Sequence, residues 1–131
     1  MISVGLLILR LGLGVMFTAH GLQMAFGMFR GPGLEGFSKM LGGLGINPAL
    51  TWAYIAAYSA LIGGLCLILG ILPKAASAIL IIFMLVAAIK VHLSKGFFLV
   101  DGGYEYNLVV ICALLVILLV GAGKYSIFNK F

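Results

Sequence analysis

The sequence predicts an all-α fold: an integral membrane four-helix bundle with a short amphipathic interfacial helix between spans 1 and 2. The first observation is composition, since 64% of the 131 residues are hydrophobic and only 8% are charged, with a mean hydropathy of +1.29. Soluble domains carry about 25% charged residues, so the apolar excess requires the bilayer as a second solvent. The second observation is a set of four apolar runs, each near the roughly 20 residues that a helix needs to cross the hydrocarbon core.

The predicted spans cover residues 2–26, 49–72, 75–93 and 106–122, and the chain is predicted to form one transmembrane domain over residues 1–131. Backbone amides in lipid must be hydrogen-bonded within the protein, which favours helices for continuous apolar runs. A β-barrel would show alternating segments of about ten residues instead. The first run is too long for a cleaved signal peptide, so we expect it to remain as a membrane anchor.

The connections between the spans also carry structural signals. Residues 33–45 predict the interfacial helix, because apolar residues recur there at three- and four-residue spacing opposite polar ones. The turn at residues 72–74 makes spans 2 and 3 an antiparallel hairpin. Small residues at four-residue spacing in span 2 predict close contact with another helix; they are Ala56, Ala60 and Gly64.

Most chemically capable side chains gather at the end of the bundle opposite the termini. An even number of spans puts both termini on one side, and an ionisable residue inside a membrane is by default a functional-site hypothesis. The interfacial helix lies at the same end, where it is placed to act as a lid. The residues at this polar end are His20, Gln23, Lys90, His92, Asp101, Tyr104, Glu105 and Tyr106.

Two histidines, a carboxylate and two tyrosines around a semi-polar pocket have the chemistry to pass protons to a quinone headgroup. Histidine titrates near neutral pH, and a nearby carboxylate can orient it. The candidate catalytic residues are therefore His20, His92 and Glu105. A structural alternative stays open for each of them: a hydrogen bond across helices for His20, and an ordinary interfacial position for His92 and Glu105.

Arg10, Lys90 and Asp101 are predicted to be structural polar residues. Two interpretations of Arg10 remain open. Its long side chain either snorkels to the headgroups on the terminus side or is tied to a carbonyl or polar side chain inside the bundle. No acid lies at a similar depth in the sequence, so we do not expect Arg10 to be catalytic.

The remaining motifs predict no metal site and no nucleotide site. Cys66 and Cys112 each lie inside an apolar run, without CxxC or Cys/His metal spacing. A b-type haem between the two histidines is the less favoured alternative to quinone as a cofactor. The net charge of +5 is spread along the chain, which favours lipid headgroups over nucleic acid as the partners of the basic residues.

Four segments together resemble the DoxX family over nearly the whole chain: "RLGLGVMFTAHGLQMAFG" at 10–27, "IGGLCLILGIL" at 62–72, "VHLSKGFF" at 91–98 and "GGYEYNLVVICALLVILLVG" at 102–121. The resemblance implies a small protein of the bacterial or archaeal plasma membrane, linked to oxidoreductase systems. Some relatives form a membrane subunit of thiosulfate:quinone oxidoreductase. The residues that match the family pattern are Arg10, His20, Gly21, His92, Gly96, Phe97, Gly102, Gly103, Tyr104, Glu105 and Tyr106.

This chain departs from the family pattern at two places. Many members have a basic residue shortly after the His-Gly pair, where this chain has Gln23 and Met24, and many have a glutamate where it has Ala60. A carboxylate at that second position would have been the natural partner of an internal cation. Its replacement weakens the case that the chain performs a complete redox reaction alone.

The first functional hypothesis is therefore a membrane subunit that binds quinone or quinol and couples it to a redox partner. The candidate substrate-binding residues are Gln23, Phe97, Tyr104 and Tyr106. One alternative is a non-catalytic scaffold or assembly subunit of a larger complex, and another is binding or transport of a small apolar solute. We also expect both termini in the cytoplasm, and a homo-oligomer is compatible with the small-residue stripes.

Overall fold

The computed structural model describes all 131 residues, and helices dominate it. The main helices are α1 (Ile2–Phe26), α2 (Gly33–Gly43), α3 (Ala49–Leu69), α4 (Pro73–Ala87) and α5 (Glu105–Val120). The predicted all-α class is confirmed. Three helical segments are long and apolar enough to cross a membrane: Ile2–Phe26, Ala49–Leu69 and Pro73–Lys95. The last of these is α4 together with its continuation, and α5, at 16 residues, is shorter, so the predicted count of four spans is approximate.

The helix ends follow local backbone chemistry. Span 1 has the predicted bounds, whereas span 2 ends at Leu69 instead of residue 72, because Gly70 adopts the left-handed conformation that terminates a helix. Pro73 then takes the first position of α4, where its missing N–H costs no hydrogen bond. The predicted hairpin between spans 2 and 3 is present, and the predicted interfacial helix runs over Gly33–Gly43.

Helices α1 and α3 pack at close range through glycines. A Cβ atom added to Gly21 would lie 2.5 Å from the backbone nitrogen of Leu61, and one added to Gly64 would lie 2.6 Å from that of Thr18. Backbones in contact at this distance gain dispersion energy and exclude lipid, which is how helices associate in a membrane. The buried face of α3 includes Ala60 and Gly64 from the predicted small-residue stripe.

Helices α4 and α5 complete the bundle around an apolar core. The core side chains are close to fully buried and come from all four long helices; the largest are Phe17, Leu67, Leu80, Leu114 and Ile117. The outer surfaces carry exposed large apolar residues, such as Ile8 at 66%, Ile62 at 57% and Leu119 at 77%. An apolar exterior around an apolar core is the pattern of a protein solvated by lipid.

Helix α2 lies against the outside of the bundle near the end of α1. Phe37 and Leu41 are buried beside Ala53 and Ala57 of α3, so α2 packs on protein through its apolar face. Its polar face carries Glu35 and Lys39, which form an exposed ion pair at 3.5 Å. Exposed pairs of this kind contribute little to stability, so the apolar contacts fix α2 in place.

The opposite end of the bundle is closed by Arg10 and the segment after α5. The Arg10 side chain is 1% exposed and donates four hydrogen bonds to carbonyls: Leu67 at 2.9 Å, Ile68 at 3.2 Å, Ala122 at 2.9 Å and Tyr125 at 2.8 Å. Two of these carbonyls belong to the last turn of α3, where a helix has no acceptor partners of its own. This is the geometry of a tie inside the bundle and not of snorkelling.

The chain after α5 supplies the remaining partners of this helix end. The backbone N–H of Ile127 donates to Leu69, and that of Phe128 donates to Gly70. The amide of Asn129 caps the start of the segment by accepting from the N–H of Ala122 at 2.9 Å. Residues 121–131 therefore cover the carboxyl end of α3 on the terminus side of the bundle.

Candidate functional site

His20 and Tyr106 approach the same residue, Met16 of α1. His20 is exposed, and its Nδ1 lies 2.8 Å from the Met16 carbonyl one turn earlier. The Tyr106 hydroxyl donates to the Met16 sulfur. Gln23, one turn further along α1, donates from its side-chain amide to the Phe29 carbonyl at 3.3 Å. These contacts hold the end of α1 together, and they leave His20 Nε2 without a protein partner.

His92 and Glu105 are both bound into the loop between α4 and α5. His92 Nδ1 lies 2.7 Å from the Gly102 carbonyl. Glu105 accepts the backbone N–H of Leu99 at 2.8 Å. Phe97 and Tyr104 stack edge to face at a centroid distance of 5.4 Å, so they form the aromatic centre of this loop.

The structure does not join the three candidate catalytic residues to one another. No hydrogen bond links His20, His92 and Glu105, and the single ion pair of the molecule lies in α2. Nor do histidine, cysteine, aspartate and glutamate side chains form a group of three that could hold a metal ion. Asp101 is exposed at the loop surface.

A cavity of about 510 Å³ lies beneath α2, between α3 and α4. We call it the α2–α3–α4 cavity. Its walls are mostly apolar, with 15 hydrophobic residues among the 18 that line it. The polar side chains in the lining are Ser59, Lys90 and His92. Of the candidate catalytic residues, only His92 reaches this cavity, while Phe97, Tyr104 and Tyr106 lie outside its lining.

Lys90 and His92 line the cavity at the end of α4, where the helix geometry changes. Helix α4 continues at Ala88–His92 as a π-helix, in which hydrogen bonds span five residues instead of four. Lys90, Val91 and His92 are consecutive, and all three line the cavity. Helical spacing from Val86 and Ala87 already brings Lys90 and Val91 to this face, and the wider turn adds His92 to it. A cation and an imidazole thus lie together beside an apolar space, and single-turn π-helices occur frequently at functional sites.

Three residues at or near this site escaped the sequence-based prediction. Trp52 and Ser59 of α3 line the cavity; they are seven residues apart and so share a helix face. Asn107 of α5 is 2% exposed and donates to the Met84 carbonyl at 3.4 Å, one turn before the π-helix. Trp52 could have been identified from the sequence, because it is the only tryptophan of the chain and lies in the first turn of a membrane helix. Asn107 offered only its polarity within an apolar run.

Comparison with known proteins agrees with the membrane fold. The chain is 33% identical over 78 residues to an uncharacterized protein of Haemophilus influenzae (strain Rd), a match that covers 60% of this chain and 51% of the relative. The chain thus spans about half the length of that curated relative. No solved structure matches the chain described here. The DoxX family model matches residues 5–93, which include Arg10, His20 and His92 and stop before the loop that holds Glu105. With more than half of its length matched, the chain belongs to the DoxX family.

Proposed function

We propose that the protein is a membrane subunit of a quinone-linked oxidoreductase system and that quinone or quinol binds in the α2–α3–α4 cavity. The observation that carries this proposal is the cavity itself. Its volume of about 510 Å³ falls within the range of roughly 300–1,000 Å³ that is usual for small-molecule sites. Mostly apolar walls with a few polar groups suit a ligand with an oxygen-bearing ring and an isoprenoid tail.

The residues present match the chemistry of such a headgroup. The Lys90 ammonium is a hydrogen-bond donor for a ring oxygen, and the His92 imidazole offers a second polar contact. Apolar side chains from both helices surround the space for the tail, among them Trp52, Ile55 and Ile82. Quinone supplies two-electron redox chemistry when it is bound. This chain's own residues would bind and orient it and exclude water.

The proposed function requires a redox partner. No residue of the chain stores electrons, so a partner protein or a larger membrane complex would exchange them with the bound ligand. We place the protein in the plasma membrane with both termini in the cytoplasm. In this arrangement α2, the cavity and the loop between α4 and α5 lie towards the opposite face.

The chain carries its own reporter for the binding experiment. Trp52 is the only tryptophan and lines the cavity, so a quinone that enters should quench most of the protein's indole fluorescence. We expect saturable quenching by short-chain menaquinone or ubiquinone analogues in detergent or nanodiscs. Lys90→Met should weaken binding of the quinone and of the quinol about tenfold, and His92→Phe should weaken binding of the quinol about tenfold, the value of one lost hydrogen bond in each case.

Lys39→Met is the matched control for Lys90→Met. It removes the same charge from another exposed lysine on the same side of the membrane, but Lys39 lies outside the cavity lining. Unchanged affinity in both cavity variants would contradict the assignment of the site. The absence of any quenching in the unmodified protein would contradict the proposed function.

A scaffold function is the second candidate, and one observation favours it. The loop between α4 and α5 exposes three successive apolar residues, Phe98 at 62%, Leu99 at 54% and Val100 at 91%, which is a surface suited to a partner. Purification that yields a stable partner complex without extractable quinone would support this function. An absorption spectrum with a Soret band would instead indicate haem, and binding of unrelated apolar compounds would indicate a solute site.

A further inference from the structure

We infer that the α2–α3–α4 cavity prefers the reduced, hydroxyl-bearing form of its ligand, and that Glu105 sets this preference by fixing the orientation of His92. The inference rests on the proposed function, which it makes more specific. Glu105 is a positioning residue here, because it acts through the loop and does not line the cavity.

The contact of His92 with the loop determines which of its ring nitrogens carries the proton. His92 Nδ1 lies 2.7 Å from the Gly102 carbonyl oxygen. A carbonyl oxygen can only accept a hydrogen bond, so Nδ1 must be the donor. In the neutral ring the proton is therefore on Nδ1, and Nε2 keeps its lone pair. Nε2 has no protein partner, so it is the nitrogen available to a ligand.

Backbone hydrogen bonds hold the Gly102 carbonyl in place. The loop closes on itself through backbone bonds from Gly102 to Leu99 at 2.8 Å, from Tyr104 to Gly96 at 3.0 Å and from Glu105 to Phe97 at 2.8 Å. Gly103 packs so closely on Gly96 that a side chain has no room there. The acceptor of His92 therefore belongs to a loop that its own backbone hydrogen bonds close.

Glu105 completes this loop from the first turn of α5. Its carboxylate accepts the N–H of Leu99 at 2.8 Å, and the Leu99 carbonyl in turn accepts the N–H of Gly102. The chain of contacts runs from Glu105 through Leu99 and Gly102 to His92. The side-chain requirement at position 105 is thus a hydrogen-bond acceptor, and a titrating proton is not needed.

The reduced and oxidised forms of the ligand differ in the hydrogen bond that they can form with His92 Nε2. A hydroquinone hydroxyl can donate to the Nε2 lone pair, whereas the carbonyl of the oxidised ring is only an acceptor and meets a lone pair at that position. Lys90 can donate to an oxygen of either form. One hydrogen bond therefore distinguishes the two forms, and we expect the hydroquinone to bind about tenfold more tightly than the quinone.

The ligand test compares three forms of one short-chain ubiquinone analogue under anaerobic conditions: the quinone, the hydroquinone and the hydroquinone dimethyl ether. Trp52 quenching, corrected for ligand absorbance, reports each affinity. Tighter binding of the hydroquinone than of both other forms supports the inference. Equal binding of all three overturns it and leaves the quinone site in place, whereas no binding by any form contradicts the proposed function instead.

The protein test reads the tautomer of His92 without any ligand. In protein labelled with ¹⁵N-histidine, the neutral His92 ring should show a protonated Nδ1 and an unprotonated Nε2, with the two histidine signals assigned by single substitutions. Glu105→Ala should mix the tautomers and abolish the preference for the hydroquinone. Glu105→Gln keeps a hydrogen-bond acceptor, so this variant should retain both the protonated Nδ1 of His92 and the preference for the hydroquinone.

Glu35→Gln is the control, since it makes the same change in charge at an exposed carboxylate of α2. An unprotonated Nδ1 in the unmodified protein would overturn the inference directly. Loss of the tautomer and of the preference in Glu105→Gln would also overturn it, because that result would assign Glu105 a proton-carrying function.

Discussion

Arg10 combines a charge with full burial, which is costly in any membrane protein. No acid neutralises it; four backbone carbonyls surround its guanidinium. A guanidinium has five N–H donors in a rigid planar arrangement, so one side chain can serve several carbonyls at once. Its position at the carboxyl end of α3 also meets the negative end of the helix dipole.

Arg10→Met should destabilise the protein severely, because it leaves buried carbonyls of α3 and of residues 121–131 without donors. Each unsatisfied buried group costs about 1–3 kcal/mol, so the free energy of unfolding should fall by more than about 3 kcal/mol. Arg10→Lys should recover part of the loss, since a lysine cannot donate to four carbonyls. Thermal unfolding followed by circular dichroism in detergent measures both.

Lys74→Met is the control for Arg10, as it removes an exposed cation on the same side of the bundle. An equal Tm for Arg10→Met and Lys74→Met would show that the four carbonyls find other partners and that Arg10 is not structurally required.

The sequence pointed to candidate polar residues but could not indicate their partners. Arg10, His20, His92 and Glu105 are recognisable because ionisable groups are rare in apolar runs. Their hydrogen bonds go mostly to backbone carbonyls and N–H groups, and every residue offers those groups equally. No side-chain pattern in the sequence can therefore indicate which carbonyl binds which polar group.

Among the helices, α1 and α3 show how glycine position determines contact. Gly12 and Gly21 both lie within α1, but an added Cβ would meet nothing within 4 Å at Gly12 and would lie 2.5 Å from Leu61 at Gly21. The two residues differ in which side of α1 they occupy. Only the side that faces α3 requires the absence of a side chain.

Gly21→Ala should separate α1 from α3 and destabilise the bundle by about 1–3 kcal/mol, the usual cost of overpacking. Gly12→Ala should leave stability unchanged or raise it by about 0.5–1 kcal/mol, because alanine is the better helix former. The Tm values of the two variants, measured in the same detergent, give the comparison. A rise in Tm for Gly21→Ala as large as that for Gly12→Ala would show that helix propensity, and not the contact with Leu61, decides the effect.

Helix existence was predictable, whereas helix ends and deviations were less so. Long apolar runs predicted α1, α3 and α4, and a three- and four-residue spacing predicted α2. No sequence pattern indicated the π-helix at Ala88–His92, because its residues are equally compatible with an ordinary α-helix. The cavity is enclosed by the packing of α2 against α3 and α4, which the sequence does not show, so the sequence indicated His92 without indicating the space beside it.

At the scale of the whole molecule, both termini lie at one end and the functional candidates at the other. Ser3 near the start of the chain accepts a hydrogen bond from the N–H of Lys124 near its end. This arrangement was predictable from the number of apolar runs. The side of the membrane was not, because basic residues are nearly balanced between the two ends and the positive-inside rule gives only a weak preference.

We expect the loop between α4 and α5 to face the outside of the cytoplasmic membrane. In a variant with Cys66→Ala and Cys112→Ala, a cysteine at Val100→Cys should react with a membrane-impermeant maleimide in intact cells. Val100 is 91% exposed, so access to the side chain does not limit the reaction.

Ile127→Cys is the matched probe of the opposite end, where the side chain is 69% exposed. It should react only after the cells are permeabilised. The reverse pattern of labelling would place both termini outside and invert the proposed topology.

The Arg10 tie also has a consequence for biosynthesis. Arg10 is synthesised before its four partners, which follow 57 to 115 positions later in the chain. Leu67 and Ile68 supply two of the carbonyls, and the other two follow only at Ala122 and Tyr125. A nascent protein therefore carries an incompletely bonded cation in its first helix until these last two residues have been made. Chains truncated before residue 122 should keep that defect and become substrates for membrane proteases.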